Sequence, residues 1–243
     1  MTPPPESASA SASLLESLQR VAPFAVSAGL TPLIPVPFLD DYALRRVREA
    51  LVRDLLDERA LTAPPDTVAT LAGRHPRQGS RVQQFLAKVA LMPVRLIARK
   101  GYRRVLTALW VKDCVDMASV SLHHGHLLRH ALARGDLTPE TLATPDAARR
   151  VHAAILATCQ EVDARPVNQA LRRLLAGSRL VLQALSRRLE SPGAEAPAAP
   201  DDTRARASLA RELAAVLWEQ EGYFQALERR YQVHWDAGAP SRH

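Results

Sequence analysis

From Val21 to Leu39 the chain runs for nineteen residues without a charged side chain, and Pro23, Gly29, Pro32, Pro35 and Pro37 interrupt the run. A straight apolar helix of that length could cross the hydrocarbon layer of a bilayer. Proline, however, lacks a backbone donor and pushes the residue before it away from helical angles. The cluster Pro32, Pro35 and Pro37 therefore cannot sit in one straight helix. The run is expected to form a bent helix and turn, buried or interfacial, with Phe24, Leu33, Ile34 and Phe38 turned inward. Other helices must then cover it.

The pattern on either side supplies those helices. Phe38 to Leu61 reads as one, with Asp40 and Asp41 where they favour its positive end and Leu44, Val47, Leu51 and Leu55 at helical spacing; Pro64 and Pro65 are expected to end it. A short helix over residues 66–72 and a polar loop from Gly73 to Gly79 follow. Five residues separate those two glycines and no lysine comes after, so the loop does not match a phosphate-binding P-loop. Arg81 to Arg134 is helical in pattern, with breaks expected at Pro93 and Gly101. Thr138-Pro139-Glu140 and Thr144-Pro145-Asp146 each combine a cap, a first-turn proline and an early acid. The second opens a helix to about Val162, and Pro166 opens another to about Glu190 through Val167, Leu171, Leu175 and Val181.

Residues 191–200 have linker composition, and Asp202 caps a last helix whose Leu209, Leu213, Val216, Leu217, Phe224, Leu227 and Tyr231 form an apolar stripe. That stripe is expected to dock on the core, with pairing to a second copy or a partner helix as the alternative. No stretch alternates as a strand does, and no repeat of solenoid period is present. The expected fold is all-α: an irregular multi-helix bundle over residues 14–190 with a Pro-rich helix-turn near its N-terminus. Residues 1–13 read as a tail, 201–237 as the C-terminal amphipathic helix after the linker, and 238–243 as a second tail.

Composition narrows the function classes. Hydrophobic residues at 47% and charged residues at 23% are the proportions of a folded chain rather than a disordered one. The net charge of +7 invites nucleic acid or an anionic membrane as partner. Yet Lys88, Lys100 and Lys112 are the only lysines, and an arginine, alanine and proline excess of this kind follows from GC-rich coding. Cys114 and Cys159 show no metal or redox spacing, which suits buried thiols in a reducing compartment. The first residues lack the basic and apolar regions of a secretory signal, so a cytoplasmic location is expected, peripheral to the inner membrane if a membrane is the partner.

The best chemical candidate lies between Lys112 and His130. At 100° per residue, Asp116, His123, His126 and His130 fall within about 80° of one another on a helix. His126 and His130 stand four apart and could share an ion, whereas Asp116 and His130 lie about 21 Å apart along the axis and could not. Further ligands are not identifiable, because H-E-x-x-H and the E-x-x-H of di-iron bundles are both missing. No metal and no cofactor is therefore assigned, and a hydrated or internally hydrogen-bonded face is the expectation. No catalytic residue is assigned either, since neither a nucleophile elbow nor a Cys–His pair is present. A second candidate is basic: Arg95, Arg99, Lys100, Arg103 and Arg104 occupy one side of a helix, a pattern suited to anionic headgroups or acidic partners. Scattered aromatics give no base-stacking platform, so nucleic acid ranks below a protein or membrane partner.

The turn Leu30-Thr31-Pro32-Leu33-Ile34-Pro35-Val36-Pro37-Phe38-Leu39-Asp40 resembles the one in helical domains of bacterial GTPase-associated membrane proteins of the YcjF type and of EcsC-like proteins. The likeness covers residues 21–56, where such domains join an apolar helix to an amphipathic one. It implies peripheral membrane association and a regulatory or scaffolding role, with no catalytic residues to carry over. The expected function is thus a non-enzymatic helical interaction protein, with a metal-dependent enzyme on the histidine face as the runner-up and nucleic-acid binding third.

Overall fold

A computed structural model describes residues 5–34, 39–73, 100–179, 181–183 and 202–238. Among them the chain forms helices and no strand. In order these are α1 (Pro5–Leu30), a 3-10 turn (Thr31–Leu33), α2 (Leu39–Glu58), α3 (Pro65–Leu71) and α4 (Lys100–Arg134). There follow α5 (Pro139–Leu142), α6 (Pro145–Glu161), α7 (Arg165–Gly177), α8 (Asp202–Trp218) and α9 (Glu221–Ala237).

Helix α1 starts earlier than the sequence pattern suggests, which corrects the expected tail over residues 5–13. Proline is tolerated in a first turn, where its missing N–H has no helical partner to lose. The helix also runs through Pro23. That ring sits on the exposed side, so the Gln19 carbonyl left without a donor is also on the wet face. The charge-free run is thus the C-terminal part of α1 followed by the 3-10 turn; it packs against α4 through Val21 and Gly29, and α1 as a whole also rests on α8. Val21, Ala22, Ala25, Val26 and Leu33 are buried, with Phe24 packed on the core and Ile34 half-buried; Phe38 lies outside the described residues. No helix among the described residues is long and apolar enough to cross a membrane.

Two glycines set how closely α1 and α4 approach. A Cβ on Gly29 would stand 2.9 Å from that of Ala118 and 3.0 Å from the Cys114 carbonyl oxygen. One on Gly125 would meet Val21 Cγ1 at 2.6 Å and Leu51 Cδ2 at 3.0 Å. Pairing Gly29 with Ala118 and Val21 with Gly125 makes the helices antiparallel. Helix α4 then becomes the axis of the bundle, touching α1, α2, α6, α7 and α9, and every residue from Ser121 to Leu128 is buried. Polar pairing fixes the same junction: Arg129 reaches Glu58 at 2.7 Å and Glu16 at 3.3 Å, and Arg20 reaches Glu58 at 3.4 Å. Arg129 and Glu58 are only 12% and 16% exposed, so the α2–α4 pair at the centre of the cluster is largely buried, while Glu16 and Arg20 of α1 join it from its solvent side.

Other boundaries depart from the pattern for local reasons. Helix α2 ends at Glu58, where Ala60 adopts a left-handed conformation (φ 53°) and the Leu61 amide donates back to the Leu56 carbonyl. Pro64 and Pro65 open α3 rather than close α2. Gly101 does not break α4, which includes it. The helix expected from Pro166 to Glu190 stops at Gly177, because Ser178 is extended (ψ 124°). The expected single C-terminal helix is two, divided at Glu219 and Gln220. That turn lets α8 lie on α1 and α7 while α9 lies on α6 and α4. The apolar stripe docks as expected: Leu209, Leu213, Leu217, Phe224, Leu227 and Tyr231 are buried, and Val216 alone of the seven is exposed. The linker 191–200 and the tails 1–4 and 239–243 lie outside the described residues.

Gly125→Ala should destabilise the protein by about 1 to 3 kcal/mol despite alanine's better helix propensity, because the new methyl would overlap the fully buried, β-branched Val21. Gly222, which has nothing within 4 Å of its would-be Cβ, is the control. Its change to alanine should be neutral or stabilising by up to about 1 kcal/mol. Urea unfolding of the two variants checks both signs.

Candidate functional site

The buried centre of α4 carries the histidines, and α9 lies across them. Tyr223 Oη is 2.6 Å from His123 Nε2. Glu228 Oε1 is 3.0 Å from His126 Nε2 and 3.6 Å from His130 Nδ1. The Phe224 ring meets His126 edge-on at 4.8 Å and the Tyr231 ring meets His130 edge-on at 5.9 Å. From the other side α1 contributes Ser17, whose hydroxyl is 3.0 Å from His126 Nδ1. His124 points away from this set toward α6, its ring 5.7 Å from that of His152. A cleft of about 300 Å3 opens beside the seam, lined among others by Ser17, His126, Arg129, His130, Phe224 and Glu228.

The structure divides the sequence-derived stripe. His123, His126 and His130 come together under α9, but Asp116 does not join them; it pairs with Lys112 at 2.5 Å on an exposed turn. Of the two expected states, hydrated or internally hydrogen-bonded, the second describes the three histidines: His123 and His126 are buried and His130 is mostly so. The carboxylate of the site is Glu228, and the hydroxyls are Ser17 and Tyr223, none of which pattern reading identified. Of the basic candidates, Arg95 and Arg99 lie outside the described residues, as do the side chains of Lys100, Arg103 and Arg104.

Charge states follow from burial. Desolvation pushes His123 down to about 4, with His126 adding to the depression and a bond to Ser119 opposing it. The neutral ring is held from both nitrogens, Nε2 by the Tyr223 phenol, whose ionisation burial drives upward, and Nδ1 by Ser119. His130 is likewise lowered by desolvation, with Glu228 pulling the other way. For Glu228 burial works against ionisation, but the bond from His126 and the charges of His126, His130 and Arg229 hold it below the usual carboxylate range. At neutral pH the site holds the Glu228 carboxylate together with neutral rings at His123 and His130.

Ser17, His126 and Glu228 form a hydroxyl–imidazole–carboxylate relay, which raises acyl transfer. Such chemistry needs donors aimed at a developing oxyanion. Ser17 sits inside α1, where backbone amides are engaged in helical bonds, and it is buried. Of the two guanidiniums that line the cleft, those of Arg59 and Arg129, the one beside His126 and His130 on α4, Arg129, is held by Glu58 and Glu16. Cys159 offers no alternative nucleophile, since burial pushes its thiol up to about 11. Asp113, raised by desolvation to about 6 despite Lys112, is a half-buried acid elsewhere on α4. Glu228 also supplies a third group near His126 and His130, but among the described residues no three or more His, Cys, Asp or Glu are arranged to hold a metal ion. What the arrangement does is join helices. No family model matches the chain, and no curated protein or solved structure matches it.

The depressed His123 gives a pH dependence of definite sign. The unfolded chain takes up a proton near 6.5 and the native site only near 4, so this contribution is complete above 6.5 and is lost as pH falls toward 4. At 1.36 kcal/mol per pKa unit it amounts to about 3 kcal/mol. Urea midpoints between pH 7.5 and 4 should fall accordingly for the native protein, and more shallowly for His123→Leu.

Proposed function

We propose that this protein is a non-enzymatic helical interaction or scaffolding protein that works at the cytoplasmic face of a membrane, contacting a protein partner or the anionic bilayer surface itself. The observation that carries the reading is the use made of the histidine stripe. Its polar groups bind neighbouring helices, through Tyr223, Glu228 and Ser17, instead of converging on an empty reaction centre. The resemblance of residues 21–56 to the helical domains of YcjF-type and EcsC-like bacterial proteins supports the same role. The basic segment with Arg95, Arg99, Lys100, Arg103 and Arg104 supplies the charge that anionic headgroups attract. A metal-dependent enzyme using His126 and His130 is the competing reading, favoured by the proximity of Glu228 to both.

Flotation with vesicles separates these readings. Recovery with phosphatidylglycerol-containing vesicles should exceed recovery with neutral phosphatidylcholine vesicles and fall with salt, because surface charge is screened within about 10 Å at 0.1 M. Replacing Arg99, Lys100, Arg103 and Arg104 together by Gln should reduce that recovery while far-ultraviolet circular dichroism stays unchanged. Equal recovery on both vesicles, or none, removes the membrane contact. Stoichiometric zinc, iron or manganese in purified protein, lost in His126→Ala and His130→Ala, overturns the non-enzymatic reading.

A further inference from the structure

Helix α9 meets the axis of the bundle through imidazoles. Along its inner face Tyr223 bonds His123, Phe224 packs on the edge of His126, Glu228 faces His126 and His130, and Tyr231 packs on His130. Its far end is held differently. Arg150 of α6 lies over the Trp235 ring at 3.9 Å and donates to the Trp235 carbonyl at 2.8 Å, and Glu161 of α6 pairs with Arg230 and His234, each at 3.2 Å. We infer that the seam is an acid-sensitive latch: protonation of the α4 histidines frees the first half of α9 from α4, while its last turns stay pinned to α6.

The charges around the seam fix the direction. Glu228 can balance one imidazolium, and a second or third would be buried cation against cation. Other carboxylates near the seam have partners of their own: Glu58 and Glu16 serve Arg129, and Asp136 accepts from Tyr231 and pairs with Arg134. Arg129 and Arg134 on α4, and Arg59 lining the cleft from the end of α2, add positive charge on the same side. Glu221 lines the cleft from the first turn of α9. On α6, Arg150 faces Trp235 and Cys159 lies toward Tyr223, so neither receives a proton from a histidine. His234 belongs to the other end of α9, where it stands 3.2 Å from Glu161 of α6. Acid therefore loosens the end of α9 that rests on the α4 histidines. The loosened half would uncover Phe224, Leu227 and the floor of the cleft, giving the molecule an apolar face that it hides at neutral pH.

Hydrogen exchange of the full chain at pH 7.5 and 5.0, corrected for intrinsic exchange rates, tests the latch. Amides of residues 221–231 should gain at least about tenfold in exchange over those of residues 45–56 in α2 on acidification, a gap of about 1.4 kcal/mol in local opening. Glu228→Gln removes the balancing carboxylate and should move the onset of opening to higher pH. His130→Gln, at the partly exposed edge of the seam, removes one protonation site and should move it lower. These opposite shifts would not arise from loss of packing alone. Exchange in α9 that follows α2 at both pH values, or an onset that both variants leave in place, overturns the proposal, and the native protein decides the first point even if a variant fails to fold.

Discussion

Two helices that touch backbone to backbone leave no room between them for side-chain adjustment, and the bundle depends on such a contact. Because Gly29 and Gly125 lack a Cβ, α1 lies close enough to α4 for Ala118, Cys114, Val21 and Leu51 to fill the crossing directly. The antiparallel register that results brings Ser17 to His126 and Glu16 to Arg129. One steric condition thus positions both the hydrophobic junction and the polar groups at its end. Interiors packed to crystal-like density transmit such a constraint instead of absorbing it.

Helix α4 is enclosed on several sides, and this decides what its polar residues become. A histidine on a helix with one wet face is a surface group with ordinary solvation. The same residue at the axis of a bundle must be neutral, hydrogen-bonded or paired, since an uncompensated buried charge is costly. His123 takes the first two routes with Tyr223 and Ser119, and His126 takes the third with Glu228, supported by Ser17. The seam is therefore polar in composition and largely buried, with the cleft at its edge, a combination that joins α9 to the core specifically but leaves the joint open to protonation.

Much of this was legible locally. The all-helical character, the cap-proline-acid starts of α5 and α6, the burial of the C-terminal stripe and the common azimuth of His123, His126 and His130 follow from spacing alone. What spacing could not supply is which element faces them. Ser17 and His126 are 109 positions apart, and Tyr223 and His123 are 100 apart; nothing in the pattern of either segment names the other. Gly125 stands between histidines in the sequence, but what requires it is Val21 on a distant helix. The division between α8 and α9 was hidden for a similar reason. No proline marks Glu219 or Gln220, and the apolar stripe keeps its phase across the turn, so only the different supports of the two helices reveal it.

The pairing of α1 with α8 carries a consequence for synthesis. The first long helix of the chain leans on one that begins at Asp202, so ribosomes must add more than 170 residues after Leu30 before that partner starts to emerge. At 5–20 residues per second this is a wait of roughly 10 to 35 seconds. Throughout it the side of α1 destined for α8 has no native cover. The nascent protein thus presents to chaperones and to nearby membrane a greasy segment that the finished protein conceals, and its period of greatest stickiness comes before it has folded.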